Sequence, residues 1–409
     1  MPVPVLFAHY GENKIRGSER CLLDLLTHLD PTRFTPVVWC NAPAMAAEVA
    51  KLGIPVQTSR FTILLHWDPP RFAVGSYLAS IRDGLRLVRR HGIRLIHANS
   101  GAPAQWMVPV ARQARVPLLA HLHGLYGLRE RCTLLLHHVS LAVGASGAAV
   151  RGLLDDGVPP RRVRVIHNGI DISRLNSGDA KSLRRDLGIR DDEIVMTCVG
   201  ALIPLKGVDI LVRAAALLRR MSLPVRVVVV GEGPERPGLE RLVAELGLEG
   251  VVSFLGERAD VGAVFRDATD IAVIASRSEV FGLTALEAAA FRLPVVATRV
   301  GGVPEVVIDD VNGRLVPPDS PEALAAALAA LVEDPVLRGR LGTAGRGLLE
   351  ERFTIARNVG MFQDSYDLLL ATPRRDRGWM GPWGPLAPWG RLVGGALARR
   401  LSGAHRTKA

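Results

Sequence analysis

Glu279 and Glu287 lie eight positions apart, with a Phe281–Gly282 turn between them and a helix-forming run, LTALEAAA, after the turn. Counted as eight helical steps of 1.5 Å, that spacing separates the two carboxylates by roughly 12 Å. An ionised carboxylate accepts paired hydrogen bonds from a vicinal diol, and the free N–H groups of Gly282, Leu283 and Thr284 at a helix start attract a diphosphate. Acid, amide and acid then suit one ligand with a diol at each end and a diphosphate between, the layout of a nucleotide-diphosphate sugar. The same residues also admit a structural reading, in which Glu279 caps the helix and Glu287 is a surface charge. Lys206 stands between Gly200 and Gly207. A lysine before a helix is commonly just solvated, but one that follows a strand-end glycine has reason to face the same diphosphate.

Groups of this kind need a scaffold that ends strands beside helix starts, as open parallel sheets do. Short β-branched runs recur along the chain with turn residues between them and helical periodicity after them. In the first half strands are expected at 4–9, 35–40, 54–59, 94–99, 117–123, 141–146 and 164–169, and in the second at 194–200, 226–231, 251–256, 270–276 and 294–298. An alanine-rich helical region is expected over 320–349, and a further helix follows it. The fold class is therefore α/β, with two doubly wound Rossmann-like domains. The Gly-, Asn-, Asp- and Ser-rich stretch 168–180 marks the junction. The expected division is 1–175, 176–352, a helix at 353–372 returning to the first domain, and a basic Trp-, Pro- and Gly-rich tail at 373–409.

Composition narrows the classes. With 409 residues and 48% hydrophobic content the chain can fill two cores. Of its +11 net charge, the tail holds eight Lys and Arg against one Asp, so the body is nearly balanced. Aromatic residues are only 5% and do not interleave with basic ones in the body, which argues against nucleic-acid binding. Cys21, Cys40, Cys132 and Cys198 stand far apart, in no zinc or disulfide spacing, and fit a reducing cytoplasm. Residues 1–8 read as a first strand rather than a signal peptide, and no run is long enough to span a membrane. No Asp-x-Asp triplet occurs, and the pairs Asp155 and Asp156, Asp191 and Asp192, and Asp309 and Asp310 sit in turn-like contexts where carboxylates are solvated, so no metal site is expected.

The run around the two glutamates is E-x-F-G-x-x-x-x-E-A, continuing as A-x-x-x-P-V-V-A-T and then Gly301, Gly302, Val303, Pro304 and Glu305. It resembles the fingerprint of the retaining glycosyltransferases of GT-B fold known as family 4 (glycosyl transferases group 1). The resemblance implies two Rossmann-like domains facing across a cleft and transfer of a hexose from a UDP- or GDP-sugar with retention of anomeric configuration. The acceptor would be a glycan, a lipid-linked molecule or a small molecule, with no cofactor, in a setting such as polysaccharide biosynthesis. It implies that Glu279 contacts the donor hexose and Glu287 the ribose, that Phe281, Gly282 and Leu283 lie near sugar and phosphate, and that Lys206 neutralises the diphosphate. RGSER resembles the glycine-rich loop in which Gly17 lets backbone approach the donor, although a helix start capped by Ser18 explains those residues equally well.

His123 ends the run PLLAHLH and matches the family's active-site histidine, whereas His97 and His121 are read as structural, and Ser146, Asn168, Gly169 and Asp171 as architectural. GEGPER, residues 231–236, matches a strand-end loop but lacks the third glycine of a dinucleotide fingerprint. Two residues depart from the family pattern. Ala201, Leu202 and Ile203 follow Gly200 where many members carry an arginine, for which Arg277 or Arg299 is a candidate substitute, and Arg292 replaces the usual glycine after the glutamate helix. An inactive glycan-binding scaffold, or an epimerase on the same fold, is the alternative. The tail sets Trp379, Trp383 and Trp389 among arginines, a combination suited to peripheral contact with an anionic membrane or to simple solubilisation.

Overall fold

The computed structural model describes residues 1–65 and 72–372. It forms two compact units, Met1–His167 with the chain from Asn358 onward, and Asn168–Arg357. The first unit holds β1 (Val3–His9), β2 (Phe34–Cys40), β3 (Val56–Thr58), β4 (Leu95–Asn99), β5 (Leu118–Leu122), β6 (Leu141–Gly144) and β7 (Val163–Val165). They form one parallel sheet in the order β3-β2-β1-β4-β5-β6-β7. The second unit holds β8 (Ile194–Val199), β9 (Val225–Val230), β10 (Val252–Phe254), β11 (Ile271–Ile274), β12 (Val295–Thr298) and β13 (Gly313–Val316). Their order is β10-β9-β8-β11-β12-β13, again parallel. Each is a doubly wound Rossmann-like sheet, and together they give the two-domain GT-B fold.

The sequence forms such sheets because its strands are apolar on both faces, as sheets covered by helices on each side require. Successive side chains of β9 point to opposite faces. Val227 and Val229 enter the core with Leu211 and Leu218 of the helix Val208–Arg220, while Val228 and Val230 pack with Ala263 and Val264 of the helix Val261–Ala268.

Three expectations are corrected. The edge strand β13 was not anticipated, because GRLV is short and only half-buried at its two central residues. The region 320–349 is not one helix but two, Pro321–Glu333 and Pro335–Arg352. Pro335 drives the preceding Asp334 into extended backbone, and the Asp334 carboxylate then accepts from the Leu337 N–H at 2.8 Å to cap the second helix. The expected strand 164–169 is limited to β7, and Asp171 beyond it caps the short helix Ile172–Leu175.

The helix Ile355–Ala371 begins in the second unit and ends in the first. Within the first unit its buried Phe362 and Tyr366 pack against His97, with His121 also on Phe362 and Phe34 on Tyr366. Tyr366 Oη lies 2.7 Å from His97 Nδ1, and Asn358 Nδ2–H donates to the His167 carbonyl at 2.7 Å. Among the described residues no helix is long and apolar enough to cross a membrane. The tail lies outside the described residues. Because both rings are fully buried, Tyr366→Phe removes a hydrogen bond without opening a cavity and leaves the His97 nitrogen unpaired. The expected loss is about 1–3 kcal/mol, measured by urea unfolding.

Candidate active site

In the second unit the sheet order reverses between β8 and β11, which are neighbours although β9 and β10 intervene in sequence. Loops leaving such a pair run in opposite directions and open a crevice at the strand ends. Lys206 and Glu279 come from these two loops, after β8 and β11 respectively. Lys206 Nζ donates to Glu279 Oε2 at 2.5 Å, with both side chains half-buried, and they line one recess with Gly200, Ser276 and Thr284. An ammonium has three N–H donors, so one bond to Glu279 leaves others for a ligand.

Close backbone approaches hold the two residues in place. Gly207 has φ +60°, and a Cβ there would run into the Ala275 carbonyl at the end of β11. Gly301 has φ +52°, and a Cβ there would strike the Glu279 carbonyl, which accepts from the Gly302 N–H at 3.1 Å. The loop after β12 is thereby laced to the backbone of Glu279. Gly282 caps the helix Leu283–Ala290 in left-handed backbone, φ +97°, and Phe281 is buried beside Phe353. The first N–H groups of that helix lack intrahelical partners and face forward, as an anion site requires.

The structure corrects the details. Glu279 lies outside the helix, so only the steps from Leu283 to Glu287 are helical and the separation reckoned from eight helical steps does not apply. Nor does Glu279 cap the helix: its Oε1 accepts from the Val280 N–H at 3.1 Å. Arg277 is no substitute for the missing cation, since Asp209 holds it bidentately at 2.7 and 2.9 Å and Asp319 at 2.6 Å. Arg299 pairs with Asp309 at 2.7 Å, half-exposed. Arg292 takes the left-handed backbone, φ +58°, that a glycine would otherwise supply. Asp156 is not a solvated turn residue but is buried against Arg131 and His137.

In the first unit the order reverses between β1 and β4. Gly17 opens the helix Gly17–His28, whose N-cap is Arg16 and not Ser18. His9 at the end of β1 and Asn99 at the end of β4 are register partners. His9 Nε2 lies 3.0 Å from Glu19 Oε1, and Asn99 Nδ2 lies 3.1 Å from His9 Nδ1. Asn99 Oδ1 lies 3.1 Å from Nε2 of half-buried His123, just beyond β5. Burial alone would raise Glu19, but hydrogen bonds and charge from His9, with Ser18, hold its carboxyl below the usual range. Burial, with His9 beside it, pulls His123 down to about 4, so its ring is neutral at pH 7. A Cβ on Gly11 would lie 2.8 Å from His9 Nε2, so that loop passes directly over the pair.

Residues 179–348 match the family described as Glycosyl transferases group 1, and residues 15–174 match Glycosyltransferase Family 4. Each match falls largely within one of the two units. Similar proteins include the D-inositol 3-phosphate glycosyltransferase of Saccharomonospora viridis, 38% identical over 226 residues, covering 53% of this chain and 52% of that protein. The enzyme of that name from Kribbella flavida is 40% identical over 198 residues, covering 46% and 47%. The chain spans about half the length of these curated relatives. Among solved structures, Anabaena HepE in complex with UDP-glucose superposes with a TM-score of 0.77 at 26% identity, covering 89% of this chain and 99% of that one.

The structure thus gathers the candidate residues of this chain into two groups. Lys206, Phe281, Gly282, Leu283, Glu279 and Glu287 belong to the second unit, His123 and Gly17 to the first. His9, Glu19, Asn99 and Gly11 were missed. The available signal was positional, a polar residue closing each apolar strand at the reversal of the sheet. Gly301 and Gly247 both adopt left-handed backbone, but only Gly301 abuts another chain segment. Gly247→Ala should therefore cost about 1–2 kcal/mol. Gly301→Ala should cost distinctly more in the same denaturation experiment, because the Glu279 loop must also move.

Proposed function

We propose that this chain transfers a hexose from a UDP-sugar to a hydroxyl acceptor, with retention of configuration and without a required metal ion. The observation that carries the reading is the Lys206–Glu279 pair at the reversal of the second sheet, directly before the helix start at Gly282. The UDP-glucose complex of the similar Anabaena protein supports UDP over GDP. In this reading the diphosphate draws Lys206 partly away from Glu279 and meets the helix amides of Leu283 and Thr284, freeing Glu279 for hexose hydroxyls. Glu287 holds the ribose. Charge growing on the leaving diphosphate is met by Lys206 and those preorganised amides. Attack then comes from the face of the leaving group, and His123 positions the sugar.

The acceptor class is a glycan, a lipid-linked molecule or a small molecule such as an inositol phosphate, the last suggested by the names of the curated relatives. The four free cysteines suit an enzyme working in the cytoplasm. Peripheral membrane contact through residues 373–409 would bring it to a lipid-linked acceptor. Sedimentation with anionic vesicles is expected to fall when the tail is deleted, and unchanged sedimentation rejects that contact.

Turnover of UDP-hexoses against an acceptor panel, followed by product NMR, tests the reaction. The donor's anomeric configuration should persist and activity should survive excess chelator. Lys206→Ala and Glu279→Ala should depress kcat about 100-fold or more, as loss of a transition-state donor does. Glu287→Ala should mainly weaken UDP binding. An inverted product, or activity lost to chelator and restored by magnesium, overturns the mechanism.

A further inference from the structure

The hydrogen bonds between Asn99 and His123 and between His9 and Glu19 each have one consistent direction, because two acceptors in the row cannot reverse. The first is the Ser18 carbonyl, which accepts from Asn99 Nδ2–H at 3.1 Å. A backbone carbonyl never donates, so the Asn99 carboxamide cannot be turned over without setting oxygen against oxygen. With Nδ2 fixed there, Oδ1 is the atom facing His123 Nε2, and an oxygen of this kind can only accept. The second is the Glu19 carboxylate. Its Oε2 accepts from the Arg16 N–H at 3.1 Å and the Ser18 hydroxyl at 3.0 Å, and its Oε1 faces His9 Nε2.

From these two anchors the protons follow. His9 donates from Nε2 to Glu19, and its Nδ1 stands between Asn99 Nδ2 at 3.1 Å and the Asn99 carbonyl at 3.3 Å. His123 carries its proton on Nε2 and donates it to Asn99. We propose that Asn99, oriented by the Ser18 carbonyl and by the Glu19–His9 pair, holds His123 in the Nε2–H tautomer, so that His123 Nδ1 is presented as a bare hydrogen-bond acceptor for a ligand hydroxyl. Asn99, His9 and Glu19 are positioning residues, acting through His123. The ligand class is a hydroxyl donor such as a sugar; its identification as the donor hexose rests on the glycosyl-transfer reading above, whereas the tautomer does not. A histidine so fixed orients a hydroxyl by accepting from it, and cannot hydrogen-bond a carbonyl or phosphate oxygen through Nδ1.

Long-range ¹⁵N–¹H NMR of the full-length chain with ¹⁵N-histidine distinguishes a protonated ring nitrogen from a bare one, and His123→Gln and His9→Gln assign the two rings. The expected wild-type result is bare Nδ1 and protonated Nε2 on His123, and protonated Nε2 on His9. Asn99→Ala should leave His123 averaged between tautomers and lower kcat by roughly 10- to 100-fold with KM for UDP-hexose little changed, since a hydroxyl is misaligned and not lost. Glu19→Gln is the variant least able to disturb folding. The Arg16 N–H fixes the new amide oxygen, its NH2 then faces His9, and His9 Nε2 should lose its proton, leaving Nδ1–H to donate to the Asn99 carbonyl. A wild-type His123 protonated on Nδ1, or spectra unchanged in both variants, overturns the proposal. Wild-type enzyme that shows the expected tautomers but turns over no nucleotide sugar would instead count against the proposed reaction alone.

Discussion

Parallel strands joined through helices can start from the middle of a sheet and grow outward in only two directions, and the reversal leaves one pair of neighbouring strands whose loops part company. The two polar pairs on which the candidate site is built lie at those two reversals. In the second unit the pair is β8 and β11, which bring Lys206 and Glu279 within 2.5 Å although 73 positions separate them. In the first it is β1 and β4, which set His9 against Asn99 across 90 positions. The sheet supplies the geometry and the loops supply the functional groups.

Glycine decides how tightly those loops close. Gly207 and Gly301 let backbone from one loop rest on a carbonyl of the next, so Lys206 and Glu279 stand on interlocked backbone rather than on freely moving tips. In the proposed function an arriving polyanion finds its cation and amides already placed, with little reorganisation left to make. Arg277 shows the opposite case. It is a cation near the same loops that is fully engaged by Asp209 and Asp319, and its contribution is to tie those loops together.

The first unit handles polarity differently. His97 and His121 are buried among Phe362 and its neighbours, and burial drives both imidazoles toward the neutral form, His97 to about 3. His123, one strand-turn further on, is half-buried and joined to a polar chain that ends in the Glu19 carboxylate. His97 on β4 and His121 on β5 thus pack into the core, whereas His123 just beyond β5 is only half-buried and joins the polar row.

Local pattern was enough to recognise two doubly wound domains, because strand burial on both faces forces apolar β-branched runs such as RVVVV and helical periodicity between them. It also brought forward Lys206, Glu279 and the Gly282 helix start as candidates, although those residues alone equally admitted a structural reading. It did not reveal β13, whose four residues lack a long apolar run, or that Glu279 stands off the helix that carries Glu287. Nor could it relate His9, Glu19 and Asn99 to His123. Residues on neighbouring strands of a parallel sheet are separated in sequence by whole crossover helices, and only strand order and register put their side chains within hydrogen-bond reach. Residue type was written in the chain; which way the Asn99 carboxamide faces along that row was decided by tertiary structure, through a Ser18 carbonyl that can only accept.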